Sequence, residues 1–197
     1  MNKAGAVAGA IRPMYAPMRK VVGPAVTVSV PTGALNVIKE GMQQTRRGDV
    51  LVINGYGNMA YAFIGGNLCR GLLNRGLAGI VIDGAARDIS EIAADGLPVY
   101  ARGVASAAGP VDGPGEINVP IACGCVVVNP GDIIVADADG IMVVPPADAE
   151  EALRGVAKLK AWHGSLQEVL LRGEVTNIAA IEQKLREQGC DFLPTRD

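Results

Sequence analysis

Short runs of β-branched and apolar residues alternate with helix-periodic segments, and glycine or proline marks the junctions. That alternation predicts β-α-β units and a partly parallel sheet. Val21 to Val30, bounded by Pro17 and Pro31, reads as a buried strand. Leu35, Ile38, Met42 and Thr45 then recur at helical spacing over Leu35 to Thr45. Gly48-Asp49 turns the chain into a strand over Val50 to Asn54. A second unit follows, with a helix over Asn67 to Asn74, a stop at Gly76 and a short strand over Ile80 to Ile82. In such sheets ligands gather at the carboxyl ends of strands, which directs attention to the loops Gly55 to Asn67 and Asp83 to Asp88.

Beyond Pro98 to Arg102 the pattern changes to Gly/Pro loops and apolar runs over Ile121 to Val128, Ile133 to Val135 and Ile141 to Val144. These read as antiparallel strands, and Asp139-Gly140 between the last two is a hairpin signal that also accounts for Asp137. Ala147 to Leu171 and Asn177 to Gln188 read as amphipathic helices. The expected organisation is one domain over residues 1–197, with 147–197 a helical extension that covers a neighbouring subunit.

A chain of 197 residues with 49% hydrophobic and 19% charged residues can bury one sizeable core. Its net charge is -2 and no basic run is longer than Arg46-Arg47, which argues against nucleic-acid or anionic-membrane partners. Apolar stretches fall far short of the roughly 20 residues that cross a bilayer. Met1-Asn2-Lys3 leads into no sustained apolar segment, so a cytoplasmic location is expected. Cys123 and Cys125 alternate along a strand-like run and Cys69 and Cys190 lie in helical patterns; all four are expected to be reduced packing residues.

Chemistry concentrates in Gly65-Gly66-Asn67-Leu68 and in Arg87-Asp88-Ile89-Ser90-Glu91. Asp83-Gly84 supplies a turn after a strand, and Asp88 stands where it caps a helix over Ile89 to Ala94. Taken alone, that capping role and a surface ion pair for Arg87 account for both residues.

The run Gly76-Leu77-Ala78-Gly79-Ile80-Val81-Ile82-Asp83-Gly84-Ala85-Ala86-Arg87-Asp88 resembles the signature of the RraA-like family. Arg12 to Tyr15, Gly23 to Thr27, Arg47 to Val50, Leu97 to Arg102, Asn129 to Asp132 and Ala136 to Gly140 are similar to further segments of that family. The resemblance runs from Arg12 to Lys160. It implies an α/β fold, a single-domain β-β-α layered sandwich with a mixed sheet of swivelling-domain type, plus C-terminal helices. It also implies a homotrimer or hexamer with sites between subunits.

Members of the family include metal-dependent pyruvate aldolases such as 4-hydroxy-4-methyl-2-oxoglutarate aldolase, oxaloacetate decarboxylases and the regulator of ribonuclease E activity. By that resemblance Asp88 and Glu91 hold Mg2+ or Mn2+, and Arg87 contacts the oxo oxygen of a small 2-oxo acid. Gly65, Gly66, Asn67 and Leu68 bind the substrate, the Asn67 and Leu68 amides receiving its carboxylate. Cleavage beside a 2-oxo acid leaves an enolate, whose charge a cation and a guanidinium neutralise.

The family's aldolases carry an acidic residue twenty-one positions before the arginine, where this chain has Gly66. The resulting Gly-x20-Arg-Asp-x2-Glu pattern is the form the family associates with oxaloacetate decarboxylation, which has no 4-hydroxyl to deprotonate. The expected activity is therefore oxaloacetate decarboxylation to pyruvate, with some aldol cleavage. A non-catalytic regulator that docks on an RNA-processing protein is the alternative.

Two further departures are expected to matter. The C-terminal helix has His163-Gly164-Ser165 where the family's aldolases reach a neighbouring site with an acid. His163 is either a plain helix residue or an interface residue, and Trp162 is expected between subunits. The helical segment that usually precedes Arg12 is also missing from the pattern.

Overall fold

The computed structural model describes residues 5–174 and 178–191. Its centre is a mixed sheet. Strands β1 (Arg12–Pro13), β2 (Val21–Ser29), β3 (Val50–Ile64), β4 (Gly79–Ala86), β5 (Val99–Val104) and β6 (Glu116–Ile117) join β9 (Ile133–Ala136) and β10 (Ile141–Val144) in it. The order is β1-β5-β4-β3-β2-β9-β10, with β6 added to β2. Strands β2 through β5 pair in parallel. The β1/β5, β2/β9 and β9/β10 pairs are antiparallel. A separate antiparallel ladder joins β7 (Ile121–Cys123) to β8 (Val126–Val128).

Both faces of the parallel part are covered, so its strands are apolar almost throughout. Val28, Leu51, Ile53, Ile80 and Ile82 face a core shared with helices α1 (Leu35–Gln43), α2 (Gly66–Asn74) and α3 (Ile89–Asp95), which contribute Ile38, Cys69, Leu72 and Ile92. Val21, Val50, Val52 and Val81 face the opposite core with Ile121, Cys123, Val128 and Ile134. The period-two alternation of side chains sends successive residues of one strand into different cores. Helices on one face and strands on the other make the α/β sandwich with a mixed sheet that the sequence led us to expect.

Two chain units separate by contacts, Met1–Ala149 and Glu150–Asp197. The second holds most of α4 (Ala149–Leu171) and all of α5 (Ile178–Glu187). Among the described residues no helix is long and apolar enough to cross a membrane.

Several boundaries differ from expectation. The supposed loop Gly55 to Asn67 is largely strand: β3 continues to Ile64 through register shifts at Asn54/Asn58, Asn58/Ala62 and Ala62/Ile64. Phe63 makes this possible, because its ring lies where side chains on Gly55 or Gly84 would otherwise stand. Strand β4 likewise extends to Ala86, so Asp83-Gly84 is strand and not turn. The run Ile121 to Val128 is broken at Gly124-Cys125, both in the left-handed region, into the β7-β8 hairpin. Cys125 is consequently exposed, and Cys190 lies exposed beyond the end of α5. Glu116 belongs to β6, opposite Ser29.

Candidate active site

Strands β3 and β4 are parallel neighbours that end side by side, Ile64 opposite Ala86. The Arg87 amide donates to the Ile64 carbonyl at 3.0 Å, which brings Gly65-Gly66 next to Arg87-Asp88 across twenty-odd residues of sequence. Gly65 is the extended N-cap of α2, at φ -139° and ψ -178°, and no side chain caps that helix from within its own first turn.

Asp88 does so from the neighbouring connection. Its Oδ2 accepts a hydrogen bond from the Gly66 amide at 3.0 Å and lies 3.6 Å from Arg87 Nε. Asp88 also precedes α3, as the sequence suggested, but at φ 59° and ψ 38° its side chain makes no cap bond to that helix. The left-handed backbone turns the carboxylate away from α3 and toward α2. A local capping role for Asp88 is thereby replaced by a cap on a helix from another part of the chain.

The two glycines leave room for these side chains. A β-carbon on Gly65 would stand 2.6 Å from Asp88 Oδ2 and 3.0 Å from Arg87 Nε. One on Gly66 would stand 2.7 Å from Glu91 Oε2 and 3.3 Å from the Asp88 β-carbon. The Glu91 carboxylate therefore fills the space into which a side chain at position 66 would emerge. Arg70 reaches over from α2, 3.9 Å from Glu91 Oε2 and 3.0 Å from Asp95 Oδ2.

An open cleft of about 540 Å3, counting space that is open to solvent, runs along this edge. Gly65, Asn67, Leu68, Arg87 and Asp88 form one wall; Ala62, Phe63 and Ile64 lie at the end of β3; Gly33, Leu35, Ala108 and Gly109 complete the lining. Gly66 and Glu91, both expected at the site, are not among the residues that line it. The 107–111 segment is tied down by main-chain bonds: Ala62 N to Ala107 O, Leu35 N to Pro110 O and Asn36 N to Val111 O. Tyr61 supports it, its ring lying against Gly33 and 3.1 Å from where a β-carbon on Gly109 would be.

Asp88 also acts on the core beneath. The Cys69 thiol, buried under α2, is pushed up to about 12, first by burial and then by the Asp88 and Asp95 carboxylates. Cys69 is a neutral packing group below the cleft.

Asp88 lines the cleft, and Glu91 is the second carboxylate on this side of it, near position 66. Among the described residues no group of three or more His, Cys, Asp or Glu is arranged to hold a metal. Two carboxylates beside an open cleft fit a hard ion that keeps much of its water, as Mg2+ does, and do not fit a closed zinc site.

A second polar cluster joins two of the family-like segments, although neither residue was expected to act together with the other. Asp83 is buried on β4, where Arg102 Nε donates to its Oδ1 and the Gly124 amide to its Oδ2 at 2.8 Å. It pins the β7-β8 turn to the sheet. An aspartate inside the apolar run Ile80 to Ala86 was the available signal, since a buried carboxylate requires partners. Tyr56, in the left-handed region and exposed, is paired with Ser29 Oγ at 3.0 Å.

A family model described as RraA-like, Aldolase/RraA, matches residues 1–143. A Halalkalibacterium halodurans protein provisionally named as a 4-hydroxy-4-methyl-2-oxoglutarate aldolase is 40% identical over 109 residues, 55% of this chain and 52% of that protein. The chain spans about half the length of several curated relatives it matches. Among solved structures, Streptomyces coelicolor RraAS2, described as an unusual member of the RNase ES inhibitor RraA family, superposes with TM-score 0.73 at 28% identity. That match covers 83% of each chain. The RNA-processing inhibitor RraA from Thermus thermophilis gives 0.66 at 28%, over 71% of this chain and 84% of that one.

Proposed function

The chain belongs to the RraA-like family, and on that premise we propose that it is a divalent-metal-dependent lyase that cleaves a C-C bond beside a 2-oxo acid. Oxaloacetate decarboxylation to pyruvate is the leading reaction and 4-hydroxy-4-methyl-2-oxoglutarate cleavage the secondary one. The observation that carries this reading is the convergence of Arg87 and Asp88 over the first turn of α2, in a cleft.

Residues of the chain divide the work. The Asn67 and Leu68 amides open α2, where first-turn N-H groups lack helical partners, and they receive the substrate's C1 carboxylate. Arg87 donates to the C2 oxo oxygen. Asp88 and Glu91 would hold Mg2+ or Mn2+, which supplies Lewis-acid neutralisation of charge at that oxygen. As the C3-C4 bond breaks, its electron pair moves into a C2-C3 double bond and the C2 oxygen becomes an enolate beside the Arg87 guanidinium. Carbon dioxide leaves, and C3 then takes a proton from water.

The position of Glu91 supports decarboxylation over aldol cleavage. Its carboxylate occupies the space beyond Gly66, where the aldolases' acid would emerge, and it is half-exposed and paired with Arg70. Oxalate, which has the shape and charge of the pyruvate enolate, provides the test. Calorimetric titration should show binding with Mg2+ present, little with EDTA, and loss in Arg87→Ala. Oxalate binding that ignores both metal and Arg87 contradicts the reading.

The RraA likenesses favour one other function, a non-catalytic regulator of a ribonuclease E-type enzyme. Adding the chain to such an enzyme and measuring RNA cleavage distinguishes the two, because a regulator inhibits without Arg87 or Asp88. We propose a trimeric or hexameric assembly, supported by exposed Val156, Leu159 and Leu170 on α4; light scattering gives the mass.

A further inference from the structure

We propose that Arg70 and a divalent cation compete for Glu91, so that Arg70 is a positioning residue that sets how tightly the cleft holds its metal. This inference rests on the lyase reading, which counts Glu91 among the metal's carboxylates. Three elements meet at one atom. Glu91 Oε2, on α3, lies 3.9 Å from Arg70 Nη2, on α2, and 2.7 Å from where a β-carbon on Gly66 would stand. That same β-carbon would be 3.3 Å from the Asp88 β-carbon, so Glu91 and Asp88 share one side of position 66. A side chain at position 66 would push Glu91 out of its place. The glycine that sets this chain apart from the family's aldolases is therefore also what lets Arg70 hold Glu91.

Arg70 is shared between two carboxylates one turn apart on α3, and the two ties are unequal. Its Nε donates to Asp95 Oδ2 at 3.0 Å, a charge-assisted hydrogen bond. The 3.9 Å contact with Glu91 is too long for a hydrogen bond and is an ion pair only. Arg70 is thus anchored by Asp95, and Glu91 is the partner that can leave while the guanidinium keeps a counter-charge. Leaving is easy, because the Glu91 and Arg70 side chains are 59% and 48% exposed and exposed ion pairs are weak. The glutamate side chain rotates about its own torsions, so Glu91 can turn toward Asp88 without any movement of α3. Arg70 opposes the ion in two ways. Its charge repels a cation nearby, and its hold on Glu91 has to be given up before that carboxylate can serve the metal.

Mn2+ reports its own binding through its electron paramagnetic resonance signal, so affinity is read without turnover. Titrations compare the parent chain with Arg70→Gln, Glu91→Gln, the double variant and Asp88→Asn, each first checked for folding by thermal melting. We expect Arg70→Gln to tighten Mn2+ binding about threefold or more, and Glu91→Gln and Asp88→Asn to weaken it. In the Glu91→Gln background most of the gain from Arg70→Gln should disappear, because the competition then has no object. An Arg70→Gln chain that binds Mn2+ no more tightly than the parent overturns this inference, and so does a gain equally large without Glu91. In both cases weakening by Glu91→Gln and Asp88→Asn leaves the metal site of the lyase reading standing. Mn2+ binding that neither of those two substitutions alters overturns that metal site, and this inference with it.

Discussion

Asp88 Oδ2 accepts the Gly66 amide at 3.0 Å, so the residue that precedes α3 stabilises the first turn of α2. One carboxylate thus locks together the ends of two parallel strands and stands at the cleft. Replacing it separates structure from chemistry. Asp88→Asn keeps an acceptor for Gly66 and should leave stability nearly unchanged, whereas Asp88→Ala loses the cap at a cost of about 1 kcal/mol. Both should lose most metal-dependent turnover. Urea melts beside pyruvate-release assays check this, and an Asn variant that keeps full activity contradicts the role of the charge.

Gly65 holds the second relationship. A methyl group there would lie 2.6 Å from Asp88 Oδ2, 3.0 Å from Arg87 Nε and 3.1 Å from Arg87 Cγ, all side-chain atoms and none of them backbone. Gly65→Ala should therefore fold normally and still displace both groups, lowering kcat/KM by on the order of tenfold or more. Equal activity in the alanine variant would show that the positions of Arg87 and Asp88 are not critical.

At Gly66 the sign depends on Glu91. Gly66→Asp alone crowds the Glu91 carboxylate, 2.7 Å from the new β-carbon, and should depress oxaloacetate turnover. Gly66→Asp with Glu91→Ala returns an acid to the position that the family's aldolases use and removes one carboxylate proposed for the metal, so both reactions are assayed at saturating Mg2+. The ratio of 4-hydroxy-4-methyl-2-oxoglutarate cleavage to oxaloacetate decarboxylation should rise in the double variant. An unchanged ratio contradicts the argument from Gly66.

Arg102 serves stability. Its partner Asp83 has a side chain 8% exposed, and removing one member of such a pair leaves a buried charge. Arg102→Ala should cost about 3 kcal/mol, read from chemical denaturation. A loss below about 1 kcal/mol would place the pair among ordinary surface contacts.

Alkaline pH should weaken the fold. Burial, reinforced by nearby carboxylates, raises the Cys69 and Cys123 thiols from 9.0 to about 12. A folded state that holds these thiols protonated has its full contribution below pH 9, and loses it as pH rises from about 9 toward about 12. Tyr15 and Tyr100, also raised first by burial, act in the same direction. Urea midpoints at pH 8 and pH 10.5 should differ, and Cys69→Ala with Cys123→Ala should reduce the difference. Iodoacetamide at neutral pH should modify exposed Cys125 and Cys190 before buried Cys69 and Cys123.

Much of this architecture was legible because local pattern and global position agree. Val50 to Ile53 and Ile80 to Ile82 are apolar on both faces, as strands covered from both sides must be, and helix periodicity placed α1, α2 and α3 within a residue or two. Gly55-Tyr56-Gly57-Asn58 misled, because glycine and asparagine read as loop while the extension of β3 depends on Phe63 filling space left by distant Gly84. The hairpin turn at Gly124-Cys125 was hidden for a related reason: Cys123 and Cys125 alternate as strand residues do, and the turn is held by Asp83, forty-one residues away. Arg87 and Asp88 were visible through the family signature, but the direction of the Asp88 carboxylate was not, since a left-handed backbone and an acceptor role toward Gly66 have no local trace. Ala108 and Gly109 had no signal; they line the cleft only because β3 and α1 hold their loop.

The most direct measurement is pyruvate release from oxaloacetate by the parent chain, Arg87→Ala and Asp88→Ala, each with Mg2+ or Mn2+ and again with EDTA, over a protein-free blank. The account predicts metal-dependent turnover in the parent that EDTA and each substitution abolish. Turnover no faster than the blank, or turnover that survives both substitutions, would contradict it.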